Sequence, residues 1–287
     1  NRRKKTKKNK LKRSFQKIKD RTKKIRRKVK RSLKKSFKKT LEKIKSKVVI
    51  NKRLKKQYNI KDVPLDKKTN KGTKASSNFV DYHYQRLDNI INFIKLETKQ
   101  RNDIHYSKPP ENSFLEVNIV TNKIKPLYTS LEEFINVIQE SKNKKHLPIT
   151  VNIQLPTHSH ANIILIDNEL KNVEYFEPHG YKKEESTLEG IPNAYYNKLK
   201  MLQKFFSEVL PDYQFINASD YFKREGFQMK HDARHGYCVT WSVLYLHYRL
   251  LNPNLEIDKL IRYLYFHITL SKLLRYARYI EKVLKLQ

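Results

Sequence analysis

The chain has 287 residues, enough for one or two domains with a sizeable core, and a formal net charge of +35. It has no run of about 18 apolar residues, which argues against a membrane-spanning helix, and its charged first residues show no secretory signal. Cys238 is the single cysteine, which excludes an internal disulfide framework and favours a reducing compartment.

The charge is concentrated in an N-terminal arm. Residues 1–76 contain 35 Lys and Arg against four acidic residues and carry +31, which leaves +4 for residues 77–287. Because like charges repel, we expect a helix here to form fully only against an anionic partner, either nucleic acid or an acidic membrane surface. A solvated basic tail or nuclear-targeting segment is the alternative. The helix is indicated by apolar residues spaced by three, four and seven: Leu11, Phe15, Ile18, Ile25, Val29, Leu33, Phe37, Leu41, Ile44 and Val48.

Residues 59–77 are typical of a linker, so we predict an arm with linker over 1–76 and a globular domain over 77–287. The domain starts with a predicted helix at 79–97, a strand at 114–120 and a helix that begins at a Ser130–Glu133 capping box and runs to 141. Further predicted strands are 148–154, 160–167, 172–177 and 213–217, with a hairpin between 160–167 and 172–177. The remaining predicted helices are 194–209, 236–251, 255–267 and 269–285. Strands in the middle with helices on both sides indicate an α+β domain.

Three residues are candidates for a thiol hydrolase site. His160 opens one predicted strand, Glu177 closes the next, and Cys238 stands at the front of a long apolar helix. A thiol nucleophile needs a base within hydrogen-bond reach, and that base needs a third group to orient it. In a hairpin, a separation of 17 residues can bring His160 beside Glu177. Of the competing acids, Asp167 is about 23 Å away along the strand and Glu174 is three residues short.

The position of Cys238 also favours a reactive thiol. A thiol in the first helical turn meets unpaired backbone N–H groups and the positive end of the helix dipole. Together with a nearby imidazolium, this lowers the pKa of the thiol. Acyl transfer further needs hydrogen-bond donors for the developing oxyanion. We expect these donors to be the Cys238 N–H and the side chain of Gln228, which lies on a predicted loop ten residues upstream.

The order His160, Glu177, Gln228, Cys238 resembles a group of cysteine peptidases. The group includes the SUMO and ubiquitin-like-protein proteases and the maturation proteases of adenoviruses and large cytoplasmic DNA viruses. In its members a His starts a strand, an Asp, Glu or Asn follows at a similar separation, and a Gln precedes the Cys that begins the central helix. The resemblance covers residues 110–255 and implies an α+β fold with a mostly antiparallel central sheet packed by helices.

The resemblance implies a cysteine endopeptidase without a cofactor. Cys238 would be the nucleophile, His160 the base and then the acid, Glu177 the orienting group and Gln228 an oxyanion donor. The substrates would be viral structural precursors, with ubiquitin-like conjugates as the alternative. We expect the enzyme in the virion or the host cytoplasm, with the nucleus as a further location, and the arm would tether it to nucleic acid or another polyanion.

The sequence departs from the pattern of this group at three positions. Ala161 stands where many members have Trp, Asp232 stands where many have the Gln, and Tyr237 precedes the Cys where a small or polar residue is common. Assigning Gln228 therefore assumes a longer loop. His179 is expected beside these residues or facing the substrate.

Three other functions stay open. Zinc binding is the rival chemistry, because His158 and His160 share one strand face and His231, His235 and Cys238 offer further ligands. No paired-cysteine signature accompanies them, so we expect no metal. The same constellation also suits acyl transfer to a Ser, Thr or Lys of another protein. A non-enzymatic module that binds nucleic acid through the arm is the third alternative.

Overall fold

The computed structural model describes scattered positions between 28 and 50, and residues 52–67, 87–99, 101–157, 159–180, 187–188, 191–192, 194–222, 225–231 and 237–285. The chain divides into two compact units, Asn1–Arg53 and Leu54–Gln287. In the first unit, every described residue has helical backbone and all but Ile50 are exposed. The part of the predicted arm helix before residue 28 lies outside the described residues.

The boundary between the units precedes the one predicted after residue 76. Part of the difference arises because the backbone of Lys61 is hydrogen-bonded to Asn252, a residue of the predicted globular domain. The Lys61 N–H donates to Asn252 Oδ1 at 2.7 Å, and the Lys61 carbonyl accepts from Asn252 Nδ2 at 3.0 Å. Apolar side chains of the same segment are buried: Leu54, Ile60 and Val63. Part of the predicted arm and linker therefore packs with the globular unit.

A six-stranded sheet forms the centre of the second unit. Its strands are β1 Phe114–Asn118, β2 Lys123–Pro126, β3 His146–Gln154, β4 Ser159–Asp167, β5 Asn172–Phe176 and β8 Gln214–Asn217, and β6 Thr187–Leu188 pairs with β7 Ile191–Pro192 as a separate ribbon. The strand order in the sheet is β2-β1-β3-β4-β5-β8, and the pairs are antiparallel except β1 with β3 and β5 with β8. The predicted hairpin is the β4–β5 pair.

Helices cover both faces of this sheet. They are α1 Leu87–Glu97, α2 Leu131–Glu140, α3 Ala194–Val209, α4 Phe227–His231, α5 Cys238–Leu251, α6 Ile257–His267 and α7 Leu270–Lys285. The predicted capping box starts α2, because Ser130 Oγ accepts the Glu133 N–H at 3.1 Å and Glu133 Oε2 accepts the Ser130 N–H at 3.1 Å. None of the described helices is long and apolar enough to cross a membrane.

A hydrophobic core lies between the sheet and the helices on each of its two faces. On one face, side chains of β4 and β5 such as Ile164 and Tyr175 belong to a buried cluster with α2 and α3. On the opposite face, α5 packs its Tyr245 ring flat on Phe176 of β5, with ring centroids 4.0 Å apart. Burial on both faces explains the continuous apolar run Ile163–Ile166 in β4, whereas β3 alternates apolar residues with residues such as Thr150 and Asn152.

The predicted α+β class with a mostly antiparallel sheet packed by helices is confirmed. The described part of the helix predicted at 79–97 is α1, and residues 79–86 lie outside the described residues. The short elements β2, β6, β7 and α4 are not predicted from the sequence, because each has too few residues to show a periodic pattern.

Candidate active site

The β4–β5 hairpin brings His160 against Glu177. His160 is the second residue of β4, and Glu177 directly follows β5. His160 Nε2 lies 2.6 Å from Glu177 Oε1, and both side chains are buried. The strand register explains the meeting, since Ile163 pairs with Phe176 and continuing that register places the residue after β5 beside the start of β4.

The two competing acids have other partners. Asp167 lies at the β4–β5 turn, where its Oδ1 accepts the backbone N–H groups of Glu169 and Leu170. Glu174 is buried under α5, where Arg249 Nε donates to both of its oxygens at 2.9 and 3.0 Å. The structure therefore places Glu177, as the sequence predicts, against the imidazole.

Cys238 is the first residue of α5 and is half-buried. Its side chain hydrogen-bonds to the side chain of His160. Since His160 Nε2 faces Glu177, the Nδ1 atom is the ring nitrogen left for the sulfur. Ser242, one turn further along α5, donates its hydroxyl to the carbonyl of Ala161 at 3.1 Å and so fixes the helix against β4. Thiol, imidazole and carboxylate thus form one hydrogen-bonded row.

The charges in this row favour an imidazolium–thiolate pair. Burial lowers the pKa of His160, but the charges of Glu177 and Cys238 outweigh it and raise the pKa to about 10. Burial raises the pKa of the Cys238 thiol, yet the charge and hydrogen bond of His160 lower it on balance. A thiolate can attack a carbonyl carbon, and the imidazolium beside it can then protonate the leaving amine.

Glu177 accepts hydrogen bonds at both carboxylate oxygens. Oε1 accepts from His160 and from the backbone N–H of His179 at 3.1 Å. Oε2 accepts from Asn162 Nδ2 at 2.9 Å and from Lys198 Nζ at 2.5 Å. Burial raises the pKa of Glu177, but the charge of Lys198, followed by that of His160, holds it well below the usual range. The carboxylate is therefore ionised and fixed in orientation.

Two side chains that contact Glu177, those of Asn162 and Lys198, are not predicted from the sequence. Asn162 carries a readable signal, because it is a polar residue on the same strand face as His160 and directly precedes the apolar run Ile163–Ile166. Lys198 carries none, because α3 also contains Lys200 and Lys204 and nothing in the sequence distinguishes the buried one.

The first turn of α5 offers donors for an oxyanion. Tyr237, the residue before the helix, provides no side-chain hydrogen bond to cap its N–H groups. Gln228, predicted on a loop, lies instead on the short helix α4 and is buried. The rings of Phe227 and His231, on either side of it, stack on Trp241 in the first turn of α5. This packing brings the helix that carries Gln228 against the start of α5.

Two glycines join the loop after Glu177 to α4. Gly226 N–H donates to the His179 carbonyl at 2.9 Å, and Gln228 N–H donates to the Pro178 carbonyl at 3.0 Å. A Cβ on Gly226 would lie 2.2 Å from the His179 oxygen, so no side chain fits there. Gly180, with φ of +68°, is in the left-handed region that favours glycine.

The contacts around Glu177 argue against the alternative of a metal site. One ligand atom from each of His160, Glu177 and His179 lies within 4.8 Å of the others, and the two imidazoles stack with centroids 4.1 Å apart. However, Lys198 occupies one oxygen of Glu177 and its ammonium repels a cation. His158 and His235 of the predicted ligand sets lie outside the described residues. The donor set therefore suits proton transfer better than metal binding.

Comparison of the sequence with known proteins gives one curated relative. No family model matches the chain. A protein of Acanthamoeba polyphaga mimivirus, named as an ankyrin repeat protein, is 26% identical over 164 residues, which are 50% of this chain and 21% of the relative. The chain therefore spans only about a fifth of the length of the curated relative that it matches.

Comparison of the structure with solved structures finds similar chains. ChlaDub1 from Chlamydia trachomatis is 15% identical with a TM-score of 0.38, over 69% of this chain and 90% of that chain. The SUMO protease Ulp1 is 13% identical with a TM-score of 0.37, over 69% and 75%. Cdu1 of C. trachomatis, bound to ubiquitin, is 16% identical with a TM-score of 0.37, over 69% and 90%.

Proposed function

We propose that this chain is a cysteine peptidase that cleaves peptide or isopeptide bonds in protein substrates. The observation that carries the proposal is the hydrogen-bonded row of Cys238, His160 and Glu177. Its charges lower the pKa of the thiol and raise that of the imidazole to about 10. The site therefore supplies at once a nucleophile, a proton donor and the group that orients the donor.

The reaction would proceed through a thioester. The Cys238 thiolate attacks the scissile carbonyl carbon, and the oxyanion that forms is stabilised by the Cys238 N–H and the Gln228 side chain. His160 gives its proton to the leaving amine as the C–N bond breaks. It then takes a proton from water, whose oxygen attacks the thioester and releases the carboxylic acid and the thiolate.

The substrate class is a choice between two groups of proteins. Viral structural precursors agree with the resemblance to maturation proteases and with the mimivirus relative. Conjugates of ubiquitin or SUMO are the other class, since Cdu1 is bound to ubiquitin and Ulp1 is a SUMO protease. Electrophilic ubiquitin and SUMO probes, tested beside an electrophilic Gly-Gly peptide, separate them. Labelling by a full-length modifier alone favours isopeptidase activity, and labelling by the peptide alone favours precursor cleavage.

Because Cys238 is the only cysteine, alkylation of the chain reports on this thiol alone. We expect rapid alkylation at neutral pH in the wild type, and loss of both labelling and cleavage in Cys238→Ala with an unchanged circular dichroism spectrum. Cleavage by Cys238→Ala would refute the nucleophile assignment. If the reactive thiol instead transferred an acyl group to a protein hydroxyl or amine and formed no free acid, the chain would be an acyltransferase.

We further propose that the basic arm tethers the enzyme to nucleic acid or another polyanion in a reducing compartment, either the virion or the host cytoplasm. The proposal is supported by the charge of +31 over residues 1–76 and by helical backbone at every described position from 28 to 53. The affinity of the full chain for duplex DNA should fall linearly on a log–log plot against salt. Salt-insensitive binding would refute an electrostatic tether, and binding only to anionic vesicles would indicate a membrane partner.

A further inference from the structure

We propose that Lys198 is a positioning residue that acts on His160 and Cys238 through the Glu177 carboxylate. The active unit would then contain four residues from four separate elements rather than three. This inference rests on the proposed function, because it assumes that Cys238 is the nucleophile.

Lys198 and His160 share the carboxylate by taking one oxygen each. Lys198 Nζ lies 2.5 Å from Glu177 Oε2, and His160 Nε2 lies 2.6 Å from Oε1. Asn162 adds a second bond to Oε2 at 2.9 Å. Rotation of the carboxylate away from the imidazole would therefore break an ion pair inside the protein. Lys198 thus sets the direction from which Glu177 meets His160.

Burial makes this contact strong and its loss consequential. Lys198 and Glu177 are each 2% exposed. Removing one partner of such a pair leaves the other charge buried without compensation. Of the charges near Glu177, that of Lys198 does most to keep the carboxylate ionised against burial, followed by His160 and then His179. Without Lys198, burial would favour the neutral acid, which cannot stabilise an imidazolium.

Loss of Lys198 should change the pH below which the Cys238 thiolate is lost. A protonated Glu177 lets the imidazolium of His160 lose its proton to the Cys238 thiolate, and the nucleophile disappears. The titratable and charged groups that face Glu177 are His160, His179 and Lys198, with Cys238 behind His160. Loss of the lysine should therefore shift the acid limb of thiol reactivity to higher pH, an effect that a purely structural contact would not produce.

The test is the pH profile of iodoacetamide alkylation of Cys238 in the full chain. Lys198→Met and Lys198→Gln should shift the acid limb upward by about one pH unit or more, given the usual effect of an adjacent opposite charge. Lys198→Arg keeps the charge and should keep the limb near its wild-type position. Lys200→Met, an exposed lysine of the same helix, is the matched control and should leave the profile unchanged. Circular dichroism confirms that each variant is folded.

A double-mutant cycle separates action through Glu177 from any other effect. In a Glu177→Gln background, adding Lys198→Met should leave the alkylation profile where Glu177→Gln alone puts it, and should raise the melting temperature by removing a buried charge that has lost its charged partner Glu177. An unshifted acid limb in folded Lys198→Met, or an equal shift in both backgrounds, would overturn the inference. A wild-type thiol with the pH profile of a simple exposed cysteine would overturn the proposed function instead.

Discussion

Replacing Glu177 by Gln should disable the thiol while keeping the shape of the side chain. The neutral amide presents N–H groups as well as an oxygen, so it can hydrogen-bond His160 with the wrong ring nitrogen protonated. It also removes the largest charge that raises the pKa of His160. Burial then governs that pKa and the imidazolium is lost.

The size of the effect follows from the pKa of His160. It is raised from 6.5 to about 10, and returning it to 6.5 or below would reduce the population of imidazolium, relative to imidazole, on the order of a thousandfold. A thiol without this imidazolium, with the reference pKa of about 8.5, is still about 3% thiolate at pH 7, so we expect alkylation of Cys238 at neutral pH to slow by roughly one to two powers of ten.

The assay is the rate of iodoacetamide incorporation, followed by mass spectrometry of the intact chain. Glu208→Gln, an exposed carboxylate on α3, is the control and should alkylate like the wild type. The variant removes the negative charge that faces Lys198, so its folded fraction is measured by thermal unfolding before rates are compared. Wild-type alkylation across the pH range by folded Glu177→Gln would refute the ion-pair reasoning.

Two further predictions concern the loop contact and acid stability. Gly226→Ala should lower the melting temperature and the alkylation rate together, because its Cβ would lie 2.2 Å from the His179 oxygen and must displace a loop of the site; a variant as stable and reactive as the wild type would contradict this. Burial lowers the pKa of His247 to about 4, below its unfolded value of 6.5, so its contribution to stability is complete above pH 6.5 and falls as the pH drops to about 4. In His247→Gln, the free energy of unfolding should therefore fall less as the pH drops from 6.5 to about 4, and the difference from the wild type, measured by chemical unfolding, should reach up to about 3 kcal/mol. An unchanged pH dependence of the free energy of unfolding would contradict this.

The elements with a strong periodic signal could be predicted from the sequence. The helix Ala194–Val209 has the predicted bounds, and the capping box at Ser130 starts a helix as expected. The meeting of His160 with Glu177 followed from strand length and a tight hairpin, since both are local properties of the chain.

The parts that could not be predicted depend on contacts between distant segments. Lys198 lies among other lysines of an amphipathic helix, and only the packing of α3 on the sheet decides which of them is buried at Glu177. Gln228 was predicted on a loop because α4 has five residues, too few for a helical pattern. It is the stacking on Trp241 that holds this turn in place.

The position of the site at the end of β4 and β5 explains why two layers of helices contribute to it. The strands fix the imidazole beside the carboxylate, whereas the cation comes from α3 on one face of the sheet and the thiol from α5 on the other. A change in the core on either face therefore alters a different partner of the same hydrogen-bonded row. A cavity under α3 should move Lys198 and the acid limb of reactivity, while a cavity under α5 should change the distance between sulfur and imidazole and the maximal rate. The pH profile of one cysteine thus distinguishes which layer has shifted.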